Sequence, residues 1–138
     1  MSLNAYLNFQ GNGREALDFY SEVFNTKPSR IETFGDMPAS PEYPLPEEIK
    51  EHIAFSELEI MGGKFMISDV FPNMPFTQGN NYSLLIQDKN PEVLKEIFHK
   101  LSKGGKVEME LQETFWSKCY GSLTDKFGVI WQVGAEEG

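Results

Sequence analysis

The 138-residue chain carries 21 acidic against 12 basic side chains, a formal charge of -9, with 40% hydrophobic and 13% aromatic residues. That length suits one ordinary domain with a real core, and the composition sets the chain among globular proteins rather than disordered or fibrous ones. The acidic balance repels phosphate backbones and anionic lipid, so nucleic acid is not an expected partner. A single cysteine, Cys119, rules out an intramolecular disulfide and a thiolate-built structural zinc site, and suits a reducing cytoplasm. Met1-Ser2-Leu3-Asn4-Ala5 has neither a basic region nor an apolar run, and no stretch approaches the ~18 apolar residues of a membrane span. Neither a cleavable export signal nor a membrane partner is expected.

Residues 3 to 9 alternate apolar and polar with a period of two, which predicts a half-buried strand with Leu3, Ala5, Leu7 and Phe9 on one face. Asn12 and Glu15 have the spacing of a capping box, opening a helix that runs to about Asn25. Its apolar stripe is Ala16, Leu17, Tyr20, Val23 and Phe24, with Arg14, Asp18, Ser21 and Glu22 toward water. A short strand near Ser29 to Phe34 follows. The stretch from Gly35 to Glu48 holds Pro38, Pro41, Pro44 and Pro46, which suit neither helix interior nor ladder, so it reads as a long irregular loop. Two strands, His52 to Ile60 and Lys64 to Ser68, are joined at Met61-Gly62-Gly63, where glycine supplies the positive φ of a tight hairpin. Residues 71 to 79, with Pro72 and Pro75, read as a linker.

The second half repeats the plan. Tyr82 to Gln87 reads as a strand, and Asn90-Pro91 supplies a cap and a first-turn proline to a helix striped by Val93, Leu94, Ile97, Phe98 and Leu101. Gly104-Gly105 stops that helix. Strands are expected at about Lys106 to Leu111, Lys118 to Thr124 and Val129 to Val133, the last two joined by Asp125-Lys126-Phe127-Gly128. Each half therefore reads strand, helix, strand, strand, strand. One helix can cover only one face of such a sheet, leaving concave faces to meet around a cavity.

This duplication resembles the vicinal oxygen chelate superfamily, also called the glyoxalase/bleomycin resistance/extradiol dioxygenase superfamily. Tyr6-Leu7-Asn8-Phe9-Gln10-Gly11-Asn12 with Glu15-Ala16-Leu17-Asp18-Phe19-Tyr20 looks like its first strand and helix. Phe34-Gly35-Asp36-Met37-Pro38, Gly62-Gly63-Lys64-Phe65-Met66-Ile67-Ser68-Asp69 and Gln112-Glu113-Thr114-Phe115-Trp116 resemble its PhnB-like, demethylubiquinone methyltransferase-like branch. So does the run through Tyr120-Gly121, Thr124-Asp125-Lys126-Phe127-Gly128 and Trp131. The resemblance implies an α+β fold of two tandem βαβββ modules in a curved, mostly antiparallel, eight-stranded sheet with helices outside. One domain would span 1–138, with module one at about 1–70, a linker at about 71–79 and module two at about 80–138. It also implies a homodimer.

In metal-dependent members, His and Glu point inward from the first, middle and last strands. The matching positions here are Tyr6, with Ala5 as the alternative, Phe55 and Gln132, none of them a good metal ligand. The metal site reads as lost, and no cofactor is expected. Tyr6, Asn8, Phe55, Trp116, Tyr120 and Gln132 are the candidate lining of a ligand cavity, with core filling as the plain alternative. Glu57 and Glu59 share the face of Phe55, so Glu57 with Tyr120 is the candidate acid-base pair, against a solvated strand edge.

Other signals favour the plain reading. His52 sits among Glu47, Glu48 and Glu51, and His99 on a helix, both read as structural or solvated. Gly11-Asn12-Gly13-Arg14-Glu15-Ala16 fits a loose dinucleotide fingerprint, with Glu32 at ribose distance, but the hairpin-linked strands that follow do not make a Rossmann fold, and the same objection meets S-adenosylmethionine. Cys119 reads as a core residue before a nucleophile. The leading functional expectation is metal-independent binding of a small aromatic or amphipathic molecule. The alternatives are a metal-dependent lyase, isomerase or dioxygenase, not a true methyltransferase, and a degenerate protein-interaction module.

Overall fold

The computed structural model describes residues 1–38 and 44–136. Among these residues, eight strands and two α-helices are distributed over two compact units, Met1–Phe76 and Thr77–Gly138. The first holds β1 (Ala5–Phe9), α1 (Gly13–Val23), β2 (Arg30–Thr33), β3 (Ile53–Ile60) and β4 (Gly63–Asp69), with sheet order β1-β4-β3-β2. The second holds β5 (Leu84–Asp88), α2 (Pro91–Ser102), β6 (Lys106–Gln112), β7 (Tyr120–Thr124) and β8 (Ile130–Ala135), with sheet order β5-β8-β7-β6. Only the β1/β4 and β5/β8 pairs are parallel. The fold is α+β: two tandem βαβββ modules, each a four-stranded, mostly antiparallel sheet with one helix on one face.

In module one, the stripe of α1 lands on alternate residues of the strands. Ala16, Leu17, Tyr20 and Val23 are buried together with Phe9, Leu58, Phe65 and Ile67, and the Tyr20 ring meets Phe65 edge-on at 5.3 Å. Full burial of a side chain such as Leu17 or Leu58 contributes about 2 kcal/mol. Leu3 precedes β1 and is exposed, so the apolar face of that strand begins at Ala5. The helix stops at Val23, two residues short of the expected end, because Asn25 turns to a φ of 50°. Ser21 donates back to the Leu17 carbonyl at 2.6 Å instead of facing water alone.

The expected capping box of α1 does not form, and Asn12 makes no side-chain cap bond. The cap comes from Asp69, the last residue of β4. Its Oδ1 accepts from the Gly11 N–H at 3.0 Å and the Gly13 N–H at 2.8 Å, while Oδ2 accepts from the Ile53 N–H at 2.8 Å. One carboxylate, 4% exposed, thus joins the start of α1, the start of β3 and the end of β4. Charge-assisted bonds to helix N-terminal amides are among the stronger ones available to a buried acid. Gly13 makes room for it: a Cβ there would stand 2.8 Å from Asp69 Oδ1.

The β3/β4 hairpin turns on Met61 and Gly62, with φ of 51° and 84°, rather than on both glycines. Two successive positive φ values match the right-handed twist of the strands they join. Within the proline-rich stretch, short 3-10 turns form at Phe34–Asp36 and Glu47–Ile49, while Pro41 lies outside the described residues.

Module two follows its local signals more closely. Asn90 accepts from the Glu92 N–H at 3.0 Å, and Pro91 takes the first turn of α2. Leu94, Ile97, Phe98 and Leu101 are buried, whereas Val93 lies at the stripe's edge and is 38% exposed. β7 begins at Tyr120, later than expected, because Ser117 and Thr114 close a turn before it. Asp125 is buried at the β7/β8 turn, accepting from the Phe127 and Val129 N–H groups and, at 2.9 Å, from the Trp131 indole N–H.

Gly13→Ala reverses the usual sign of a helical Gly→Ala change. Propensity alone would stabilise by about 1 kcal/mol, but the clash with Asp69 makes the variant less stable by about 1–3 kcal/mol. Asp69→Ala orphans buried N–H groups and costs about 3 kcal/mol, a Tm loss on the order of 10 °C. Thermal unfolding of both variants checks this, and a stabilised Gly13→Ala would refute the long-range cap.

Candidate functional site

Strand alternation sorts Tyr6, Asn8, Phe55, Glu57, Tyr120 and Gln132 to the sheet face that the helix of their module leaves uncovered, and Trp116 lies in the turn between β6 and β7. In module one, the register aligns Tyr6 with Met66 and Asn8 with Ser68, opposite in parity to the helix-facing Phe65 and Ile67. Phe55 and Glu57 on β3, and Arg30 and Glu32 on β2, continue this face. The alternative first-strand position, Ala5, pairs with Phe65 and so belongs to the helix side.

Tyr6 and Phe55 stand 6.3 Å apart, centroid to centroid, and Ser68 donates to Asn8 Oδ1 at 3.4 Å. The Arg30 guanidinium carbon lies 4.9 Å above the Phe55 ring, and an Arg30 nitrogen is 2.8 Å from a Glu32 carboxyl oxygen. Ser29 donates to Glu57 at 3.3 Å. Glu59 pairs across strands with Lys64. This face therefore combines two aromatic rings with an ion pair and an acidic neighbour.

In module two, Gly121 and Leu123 turn toward α2, with Gly121 directly beneath Phe98, so Tyr120 and Ser122 point the other way. Gln132 is cross-strand from Ser122 and Leu85. The Tyr120 hydroxyl donates to Gln132 Oε1 at 2.6 Å, and Gln132 Nε2 donates to Ser83 Oγ at 2.7 Å. Trp116 meets Tyr120 edge-to-face at 5.4 Å, and Phe115 meets Trp116 at 4.7 Å. Trp116 is 51% exposed and Phe115 98%, so neither is core filling. Partial burial raises the Tyr82 phenol above its ordinary pKa, against the effect of a backbone hydrogen bond with Ile130 and with a smaller contribution from Asp125.

The six expected lining residues thus form two groups: Tyr6, Asn8 and Phe55 in module one, and Trp116, Tyr120 and Gln132 in module two. Glu57 and Tyr120 fall in different modules. Among the described residues, no three His, Cys, Asp or Glu side chains gather in a way that could hold a metal ion. His52 packs beside Gly11 ahead of β3, His99 is exposed in the last turn of α2, and Cys119 is buried. The Gly11 and Gly13 amides, which a dinucleotide phosphate would need, donate to Asp69. Sequence reasoning passed over Ser83, which shares parity with Leu85, and Arg30, which shares parity with Glu32. Both lie within the strands expected at Ser29 to Phe34 and Tyr82 to Gln87, so the same period-two alternation could have found them.

No helix among the described residues is long and apolar enough to cross a membrane. A family profile described as 3-demethylubiquinone-9 3-methyltransferase matches residues 2–134. Protein YjdN of Escherichia coli (strain K12) is 32% identical over 139 residues, covering 96% of this chain and 94% of that protein. Protein PA1353 from Pseudomonas aeruginosa superposes with a TM-score of 0.87 at 30% identity, over 100% of this chain and 99% of its own. The PhnB protein from Bacillus cereus gives 0.78 at 27% identity, over 99% and 100%. The fosfomycin resistance protein FosX from Listeria monocytogenes, at 12% identity and 0.65 over 99% and 94%, shares the fold alone. A profile spanning nearly the whole chain, a relative at this identity and the doubled βαβββ plan agree: the chain belongs to the 3-demethylubiquinone-9 3-methyltransferase family, the PhnB-like branch of the vicinal oxygen chelate superfamily.

Proposed function

We propose that the protein binds a small aromatic or amphipathic molecule, without a metal, on the sheet faces that its helices leave uncovered. The observation that carries this reading is the chemistry at the three positions where the superfamily resemblance places metal ligands. Tyr6, Phe55 and Gln132 supply two rings and a neutral amide there, with Tyr120 bonded to Gln132 and Trp116 edge-on to Tyr120. Rings stack on planar ligands, and a few neutral hydrogen-bonding groups orient them.

The family's description names methyl transfer, which requires a methyl donor. The glycine run best suited to a nucleotide-bearing donor is engaged with Asp69, which favours binding over that activity. A homodimer, implied by the superfamily resemblance, belongs to the same proposal. Light scattering coupled to size exclusion is expected to report a particle of two chains, and a monodisperse single chain would remove that part.

Purified protein is expected to carry no stoichiometric zinc, iron, manganese or nickel by elemental analysis. In a thermal-shift screen of aromatic metabolites and antibiotics, a specific binder at a hundredfold excess over Kd adds about 2.7 kcal/mol, raising Tm by several degrees. EDTA leaves the shift intact, and Phe55→Ala or Trp116→Ala reduces it. A bound divalent ion whose removal abolishes the shift would replace this reading with the metal-dependent enzyme.

A further inference from the structure

We infer that the uncovered face of module two selects an uncharged carboxamide carried on an aromatic ring, an inference that rests on the ligand-binding reading above. Tyr120, Gln132 and Ser83 form an ordered chain across neighbouring strands, with bonds of 2.6 and 2.7 Å. Gly134 lies cross-strand from Tyr120, so no side chain displaces the phenol from its reach to Gln132.

The direction of the chain determines what its ends can offer. The Tyr120 proton is committed to Gln132, so its oxygen is left to accept. Ser83 Oγ accepts from Gln132, so its own proton is left to donate. Reversing the Gln132 amide exchanges the two ends and still leaves one donor and one acceptor. A carboxamide answers both, its carbonyl accepting from one hydroxyl and its N–H donating to the other. A carboxylate has no proton for the accepting end, and an apolar group leaves both ends unmet.

Leu85, Met109, Ser122 and Ile130 are uncharged neighbours on this face. Lys106, set opposite Thr124 by the strand register, reaches the same face at its outer edge and lies 3.9 Å from Glu108. The half-exposed Trp116 ring, edge-on to Tyr120, gives a ligand's ring an aromatic wall. Module one differs, with Arg30, Glu32 and Glu57 on the equivalent face.

The test titrates the full chain with benzamide, benzoate and toluene, following the Gln132 side-chain amide and Trp116 indole signals by NMR. Benzamide is expected to move both signals, with benzoate at least tenfold weaker. Tyr120→Phe and Ser83→Ala should each weaken benzamide by about 5- to 10-fold while leaving toluene unaffected, and an unshifted Trp131 indole signal reports an intact fold. Gln132→Glu, which cannot donate to Ser83, supplies a second loss should either variant misfold. Benzoate binding as tightly as benzamide, or benzamide unaffected by all three substitutions, overturns the carboxamide assignment and leaves ligand binding standing. Failure of every probe and of the wider aromatic screen to bind overturns both.

Discussion

The buried Asp69 carboxylate sets the geometry of module one. It ends β4, accepts from the Gly11 N–H just ahead of α1 and from the Gly13 N–H that opens it, and receives the Ile53 N–H at the start of β3, so three elements share one anion. An anion at a helix N-terminus is stabilised by the unsatisfied N–H groups and by the aligned peptide dipoles. That placement fixes where α1 begins, which of its residues meet Phe65 and Ile67, and therefore which sheet face stays open. It also accounts for the glycine-rich opening of the helix as packing: Gly13 is small because Asp69 fills the space a side chain would occupy.

A single helix cannot cover both faces of a four-stranded sheet, and in each module the leftover face carries the unusual chemistry. The two faces have diverged on one frame. Module one presents Tyr6 and Phe55 with an Arg30–Glu32 ion pair lying over the second ring. Exposed pairs of this kind add little stability, so the arrangement is better understood as orienting Arg30 than as holding the sheet together. Module two presents a neutral hydrogen-bonded chain beside two aromatic rings on a well-anchored turn. There Ser117 donates to the Cys119 carbonyl and accepts from the Ala135 N–H. Duplication supplies the scaffold, and side chains pointing away from the helices supply the difference.

Membership of a family described by methyl transfer does not by itself specify chemistry, because one fold hosts many reactions. The proposed ligand binding rests on tyrosine, phenylalanine and glutamine at the positions where the superfamily resemblance would place chelating groups. Two rings and a neutral amide suit stacking and hydrogen bonding better than coordination.

What could be read along the chain was what neighbours in sequence decide. Asn90-Pro91 caps α2 with its own side chain, the helix stripes recur every three or four residues, and period-two alternation separated Tyr6, Phe55 and Gln132 from the core-facing residues beside them. The tertiary structure decided what depends on partners far along the chain. Asn12 has the right type and spacing to cap α1, yet Asp69, 56 residues beyond Gly13, takes that role because β4 returns parallel to β1 and delivers its carboxylate to the helix start. The Tyr120–Gln132–Ser83 chain likewise exists only through the register of β5, β8 and β7, Gln132 coming 49 residues after Ser83. Local patterns give each element its type and its faces, because they depend on bond geometry and solvent. Which polar groups meet depends on strand register, set by the packing of the whole module.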